Sequence, residues 1–111
     1  MSTLTTHSKI YIAGHCGLVG ASLLRHLRRN GFDNILVRTR TELDLTSRKD
    51  VWNFFKDECP EYVLLAAAKV GGIAANMAAP VDFLINNLEI QNNVLLACHE
   101  FKVTKTMFLG S

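Results

Sequence analysis

The chain has 111 residues, 49% hydrophobic and 20% charged, with a formal net charge of +2. That balance describes one compact domain able to bury a core and excludes a disordered or collagen-like chain. The 12 basic and 10 acidic residues are interspersed, so no basic patch points to nucleic acid, and no run approaches the ~18 uninterrupted apolar residues of a membrane span.

Residues 1–8 are short, polar and without an apolar h-region, which reads as a disordered tail and not as a signal peptide. Residues 9–13 form a buried strand that runs directly into Gly14-His-Cys-Gly17-Leu-Val-Gly20. Glycines spaced three apart between a strand and a helix build a phosphate site from backbone alone. The first allows a tight turn, the second lets the main chain approach a pyrophosphate, and the third lets the helix sit against the strand. The helix N-terminus then points its free N–H groups at the phosphates. Residues 18–30 carry Leu18, Val19, Leu23, Leu24 and Leu27 at helical spacing, with Gly31 as stop signal.

Residues 34–37 are a short second strand, followed by Arg38-Thr-Arg40-Thr-Glu42. An acid at that strand tip selects NAD by bonding the ribose 2′-hydroxyl, whereas a basic residue accommodates the 2′-phosphate of NADP. Arg38 and Arg40, with no acid before Glu42, favour NADP, since a guanidinium grips phosphate with paired, charge-assisted bonds. Asp44 to Asp57 begins with a turn and continues as a helix, capped by Thr46 or Ser47, with Val51, Trp52, Phe54 and Phe55 turned inward and Pro60 closing it. A third buried strand at 62–66 leads into the small-residue stretch 67–80, which holds Gly71-Gly72. A long helix from about Asp82 to Phe101 and a fourth strand at 105–109 complete the series.

Strands joined by helices must run parallel with right-handed crossovers. The expected fold is therefore α/β, a doubly wound parallel sheet of the NAD(P)-binding Rossmann type, with four strands in the order 3-2-1-4. Cys16, Cys59 and Cys98 are far apart, odd in number and lack C-x-x-C spacing, which reads as reduced thiols in a cytoplasmic protein. His7, His15, His26 and His99 have no metal-ligand spacing, so no metal is expected. His7, His26 and His99 are expected to lie at the surface. Cys16, beside the phosphates at a helix N-terminus, is a thiol open to oxidation or alkylation, or else an inert small residue in a turn.

Four segments closely resemble the GDP-L-fucose synthases (GDP-4-keto-6-deoxymannose epimerase/reductases), which are extended short-chain dehydrogenase/reductases. They are Tyr11-Ile-Ala-Gly-His-Cys-Gly-Leu-Val-Gly20, Val37-Arg-Thr-Arg-Thr-Glu-Leu-Asp-Leu45, Leu65-Ala-Ala-Ala-Lys-Val-Gly-Gly-Ile73 and Phe108-Leu-Gly-Ser111. The resemblance implies NADP as cofactor. It assigns Gly14, Gly17 and Gly20, with Leu18 and Val19 in the adjoining turn, to the pyrophosphate. It assigns Arg40 and Arg38 to the 2′-phosphate and Asp44 and Leu45 to the adenine pocket. Ala66, Ala67 and Ala68 then pass beneath the cofactor, and Asn87 joins them from the long helix. Asn93 matches a second helix asparagine, for which a role in catalysis and a buried place bonding neighbouring backbone both stay open. Ser111 is implied as a catalytic residue that helps to polarise the substrate carbonyl.

The implied activity is 3,5-epimerisation of GDP-4-keto-6-deoxy-D-mannose followed by reduction at C4 by NADPH, in a homodimeric parent acting on a nucleotide sugar. Two departures stand out. Cys16 occupies the position of the family's loop arginine, and loss of one charged phosphate contact costs about 1.5–3 kcal/mol, tenfold or more in affinity. The family's Tyr-x-x-x-Lys pair does not occur: neither Tyr11 nor Tyr62 has Lys four positions on. The chain is thus expected to be the N-terminal cofactor-binding part of such an enzyme, residues 9–111 being part of a Rossmann domain, and inactive alone. A non-catalytic NADP(H)-binding module and an inactive truncated gene product are the alternatives.

Overall fold

The computed structural model describes residues 4–66 and 80–108. Along the chain these residues form β1 (Ile10–Ala13), α1 (Leu18–Arg29), β2 (Ile35–Val37), α2 (Arg48–Glu58), β3 (Tyr62–Leu65), α3 (Pro80–Glu100) and β4 (Lys105–Phe108). All three strand pairings are parallel. Tyr11 stands opposite Leu36 on one side and Val63 on the other, and Val63 stands opposite Thr106.

The sheet order is β2-β1-β3-β4, which corrects the expected 3-2-1-4. Residues 38–47 turn and bend and form no strand, so among the described residues nothing pairs beyond β2. The third strand carries Val63 and Leu65, both fully buried, and it gains more from a central place between β1 and β4 than from an edge. The half-buried β2 and the largely exposed β4 take the edges instead. Right-handed crossovers then fix the layers. The link from β1 to β2 puts α1 on one face, and the links that run the other way put α2 and α3 together on the opposite face.

The core lies on the α2/α3 face. Tyr11 and Ala13 of β1, and Val63 and Leu65 of β3, meet Val51, Phe54 and Phe55 of α2 and Val94, Ala97 and Cys98 of α3. The Tyr11 ring is 4.6 Å from that of Phe54 and meets Phe55 edge-on at 6.1 Å, a geometry that stabilises by about 0.5–1.5 kcal/mol per pair beyond simple burial. Ile10 and Ile12 alternate to the α1 face. There Leu23, Leu24 and Leu27 are half-buried, as their spacing predicts. Leu18, by contrast, is 88% exposed, because α1 begins beyond the end of the strand.

Residues 5–8 make hydrogen bonds to one another and to the loop before β2. The Thr5 N–H donates to Ser8 Oγ at 2.9 Å, and the Asp33 N–H donates to Thr6 O at 3.1 Å. His7 Nδ1 lies 3.0 Å from Asp33 Oδ2, and Asn34 Nδ2 donates to His7 O at 3.2 Å. All three cysteines are free thiols, and burial pushes the Cys98 thiol up from its ordinary pKa. No helix among the described residues is long and apolar enough to cross a membrane.

Helix α2 is defined at both ends by side chains that suit its termini unequally. Ser47 Oγ caps its start by accepting the Asp50 N–H at 3.3 Å. Cys59 ends it in the left-handed region at φ 47°, a conformation that disfavours any residue with a Cβ. Replacing Ser47 by alanine is expected to lower stability by about 1 kcal/mol, and Cys59→Gly to raise it by about 1 kcal/mol. Urea denaturation of the two variants checks both signs.

Candidate functional site

In a parallel sheet, ligands gather at the carboxyl ends of the strands where the strand order reverses. Here the chain passes from β1 to β2 on one side and returns to β3 on the other, so the reversal lies between β1 and β3. The residues singled out from the sequence fall along that edge: the glycine loop after β1, Arg38 and Arg40 after β2, Ala66 after β3.

The loop is built by two close approaches. Gly14 sits at φ 91°, and its carbonyl accepts the Gly17 N–H at 3.2 Å. A Cβ on Gly20 would stand 2.0 Å from the Gly14 oxygen and 2.9 Å from the His15 Cα. No side chain fits there, so this glycine lets α1 lie against the loop. Gly17 differs. Its φ of −75° is ordinary, and a Cβ would meet the Gly14 oxygen only at 3.6 Å, normal contact distance. Packing among the described residues does not require a glycine at that position.

The first turn of α1 has no acidic residue, and its cap makes no side-chain hydrogen bond, so no side chain of that turn offsets the positive end of the helix dipole. Leu18 and Val19 in that turn are exposed. His15 Nδ1 is buried without a partner among the described residues, while Nε2 lies 3.5 Å from Cys16 Sγ.

At the end of β2 the two arginines part company. Arg38 turns toward α2: Nη1 donates to Val37 O at 2.8 Å, Nη2 lies 3.4 Å from Glu58 Oε2, and the guanidinium stands 5.2 Å over the Phe54 ring. Glu58 also holds Lys9 at 3.2 Å. Arg40 is exposed at the tip of a turn closed reciprocally by Thr39 and Glu42. The Thr39 N–H donates to Glu42 Oε1 at 2.8 Å, and the Glu42 N–H donates to Thr39 Oγ1 at 3.3 Å. The first of these bonds is the main cause holding the Glu42 carboxyl below its usual range. Thr-x-x-Glu spacing is a signal for this turn that the sequence reading passed over; the capture of Arg38 by Glu58, twenty residues on, has none.

Asp44 and Leu45 form the next corner. The Thr46 hydroxyl donates to Asp44 Oδ1 at 2.6 Å, and the Thr46 N–H donates to the same oxygen at 3.0 Å. Together they pull the Asp44 carboxyl below its ordinary pKa. Oδ2 accepts nothing from the described residues. Leu45 O takes a bond from Asn93 Nδ2 on α3, at 3.0 Å. The Ala66 N–H donates to Ala13 O at 2.8 Å, which carries the pairing of β1 with β3 one residue past the strand end. Asn87 lies half-buried on α3. Ala67, Ala68, Ser111 and the Gly71-Gly72 stretch lie outside the described residues.

Tyr11 is buried among aromatic rings, and that burial pushes its pKa far up, which suits a core residue and not an acid/base group. No cluster of three His, Cys, Asp or Glu side chains gathers among the described residues.

The family model for the NAD dependent epimerase/dehydratase family matches residues 10–111. GDP-L-fucose synthase 1 of Arabidopsis thaliana is 53% identical over 104 residues, covering 94% of this chain and 32% of the relative. The GDP-L-fucose synthase of Escherichia coli K12 is 45% identical over 103 residues, covering 93% and 32%. Among solved structures, the GDP-mannoheptose C4 reductase MlghC of Campylobacter jejuni, with NADP bound, superposes with a TM-score of 0.92 at 47% identity. It covers 97% of this chain and 34% of that one. The chain spans about a third of the length of the curated relatives it matches.

The unequal crowding of the glycines sets a contrast in stability. Gly20→Ala is expected to lose about 3 kcal/mol, since backbone must move, while Gly17→Ala changes stability by less than about 1 kcal/mol; paired thermal melts measure it. Asp44 has its own signature. Its folded pKa is depressed, so its contribution is present above the unfolded value and is lost as pH falls through the folded one. Carbon-detected NMR titration should find the Asp44 carboxyl still charged at a pH where ordinary aspartates are half protonated.

Proposed function

This chain belongs to the NAD dependent epimerase/dehydratase family, and we propose that it is the NADP(H)-binding portion of a GDP-L-fucose synthase. Position 17 carries this reading. Among the described residues nothing crowds a side chain there, yet the position stands immediately before a helix start that has no side-chain cap and no acid in its first turn. That is the arrangement a pyrophosphate requires.

In this reading the backbone of Gly14, Gly17 and Gly20, with the first turn at Leu18 and Val19, holds the pyrophosphate. Arg40 takes the 2′-phosphate, and Arg38 lends charge from its seat on Phe54. Asp44 receives the adenine amino group through the oxygen that Thr46 leaves open, beside Leu45. Ala66, Ala67, Ala68 and Asn87 line the way to the nicotinamide, and Ser111 contacts the substrate carbonyl. The bound dinucleotide supplies the hydride for reduction of a nucleotide-sugar ketone. This chain's own task is to bind and orient it.

The tyrosine and lysine of the family's acid/base pair are not among these 111 residues, so turnover is assigned to the longer protein. A homodimeric parent and a cytoplasmic location, in keeping with three free thiols, belong to the same proposal.

Isothermal titration of the chain with NADPH and NADH tests the reading. NADPH should bind the more tightly, and Arg40→Ser should weaken NADPH about tenfold or more while leaving NADH unchanged. Gly17→Ala should weaken both at least tenfold without lowering the melting temperature. An absence of binding at millimolar cofactor would overturn the proposal.

A further inference from the structure

Asn93 is the one buried polar residue of α3 among the described residues, 8% exposed beside Val94, Ala97 and Cys98. An apolar residue would pack there at no polar penalty, so an amide has to be explained by what it bonds. Its partner is the carbonyl of Leu45, forty-eight residues away and in no strand ladder.

That carbonyl and the Thr46 N–H are the two ends of one planar peptide unit. Asn93 grips the oxygen end at 3.0 Å, and the nitrogen end donates to Asp44 Oδ1 at 3.0 Å. A peptide that accepts at its oxygen is also the more polarised donor at its nitrogen. The orientation of the Asp44 carboxylate thus passes through a rigid plane to a buried anchor on the far helix. The Thr46 hydroxyl, at 2.6 Å from the same oxygen, completes the clamp and leaves Oδ2 for an outside donor.

We propose that Asn93 is a positioning residue for adenine recognition. Through the Leu45–Thr46 peptide it aims the Asp44 carboxylate at the exocyclic amine of the cofactor, without touching the cofactor itself. The inference rests on the reading of Asp44 given above, and its test separates the two.

The chain is titrated with NADPH and with reduced nicotinamide hypoxanthine dinucleotide phosphate, in which the amine is replaced by an oxygen that cannot donate to a carboxylate. The wild-type chain should prefer the adenine cofactor by about tenfold. Asn93→Leu should shrink that preference to within about twofold while affinity for the hypoxanthine cofactor stays unchanged. A merely structural asparagine would weaken both cofactors alike, and that result overturns the inference, as does a preference left intact. Asp44→Asn is run in parallel. If it keeps the tenfold preference, Asp44 is not the acceptor and the inference falls with that reading; if it loses the preference while Asn93→Leu keeps it, the anchor alone is wrong. Should Asn93→Leu fail to fold, Asn93→Ala takes its place with the same outcomes.

Discussion

The close passage of α1 over the Gly14 carbonyl is the constraint on which the other features depend. At Gly20 the helix comes so near the loop that even one methyl group would collide with backbone. This contact sets where the helix begins relative to β1, and so where its unsatisfied N–H groups point. The same contact explains why Leu18 and Val19 are left in solvent: the first turn starts past the strand, over the carboxyl edge of the sheet, and not above its apolar face.

The core supports this edge from the other side. Tyr11 occupies the strand that carries the loop, and it is packed by Phe54 and Phe55 from α2. The helix that buries the strand also brings Glu58 under Arg38, and the ring of Phe54 serves both tasks. One consequence is a division of labour between two arginines that are equivalent in sequence. Arg38 is held against the fold by a charge, a carbonyl and a ring, whereas Arg40 rides at the tip of the Thr39–Glu42 turn. An anion approaching from solvent meets the second first.

Polar struts, more than apolar packing, shape the corner at residues 44–47. Where the chain has left β2 and not yet entered α2, Thr46 donates to Asp44, Asp50 donates to Ser47, and Asn93 reaches over from α3 to donate to the Leu45 carbonyl. Because these groups are short and bonded to backbone, the corner is defined without a strand. This also accounts for the sheet order. A residue run spent on turns cannot extend the sheet beyond β2, and β3 crosses to the other flank of β1.

Local chemistry was legible from the residues alone. Periodicity marked each helix and strand, glycine spacing marked the loop, and alternation of elements marked a parallel sheet, because these depend on neighbours a few positions away. The resemblance to a known family rested on segments of the same local kind. Three matters were decided only when distant parts met: the flank on which β3 pairs, the seat of Arg38 on Phe54 beside Glu58, and the tie from Asn93 to Leu45. Each is a contact between residues at least sixteen positions apart, chosen by which surfaces could be buried together, and no pattern along the chain records that choice.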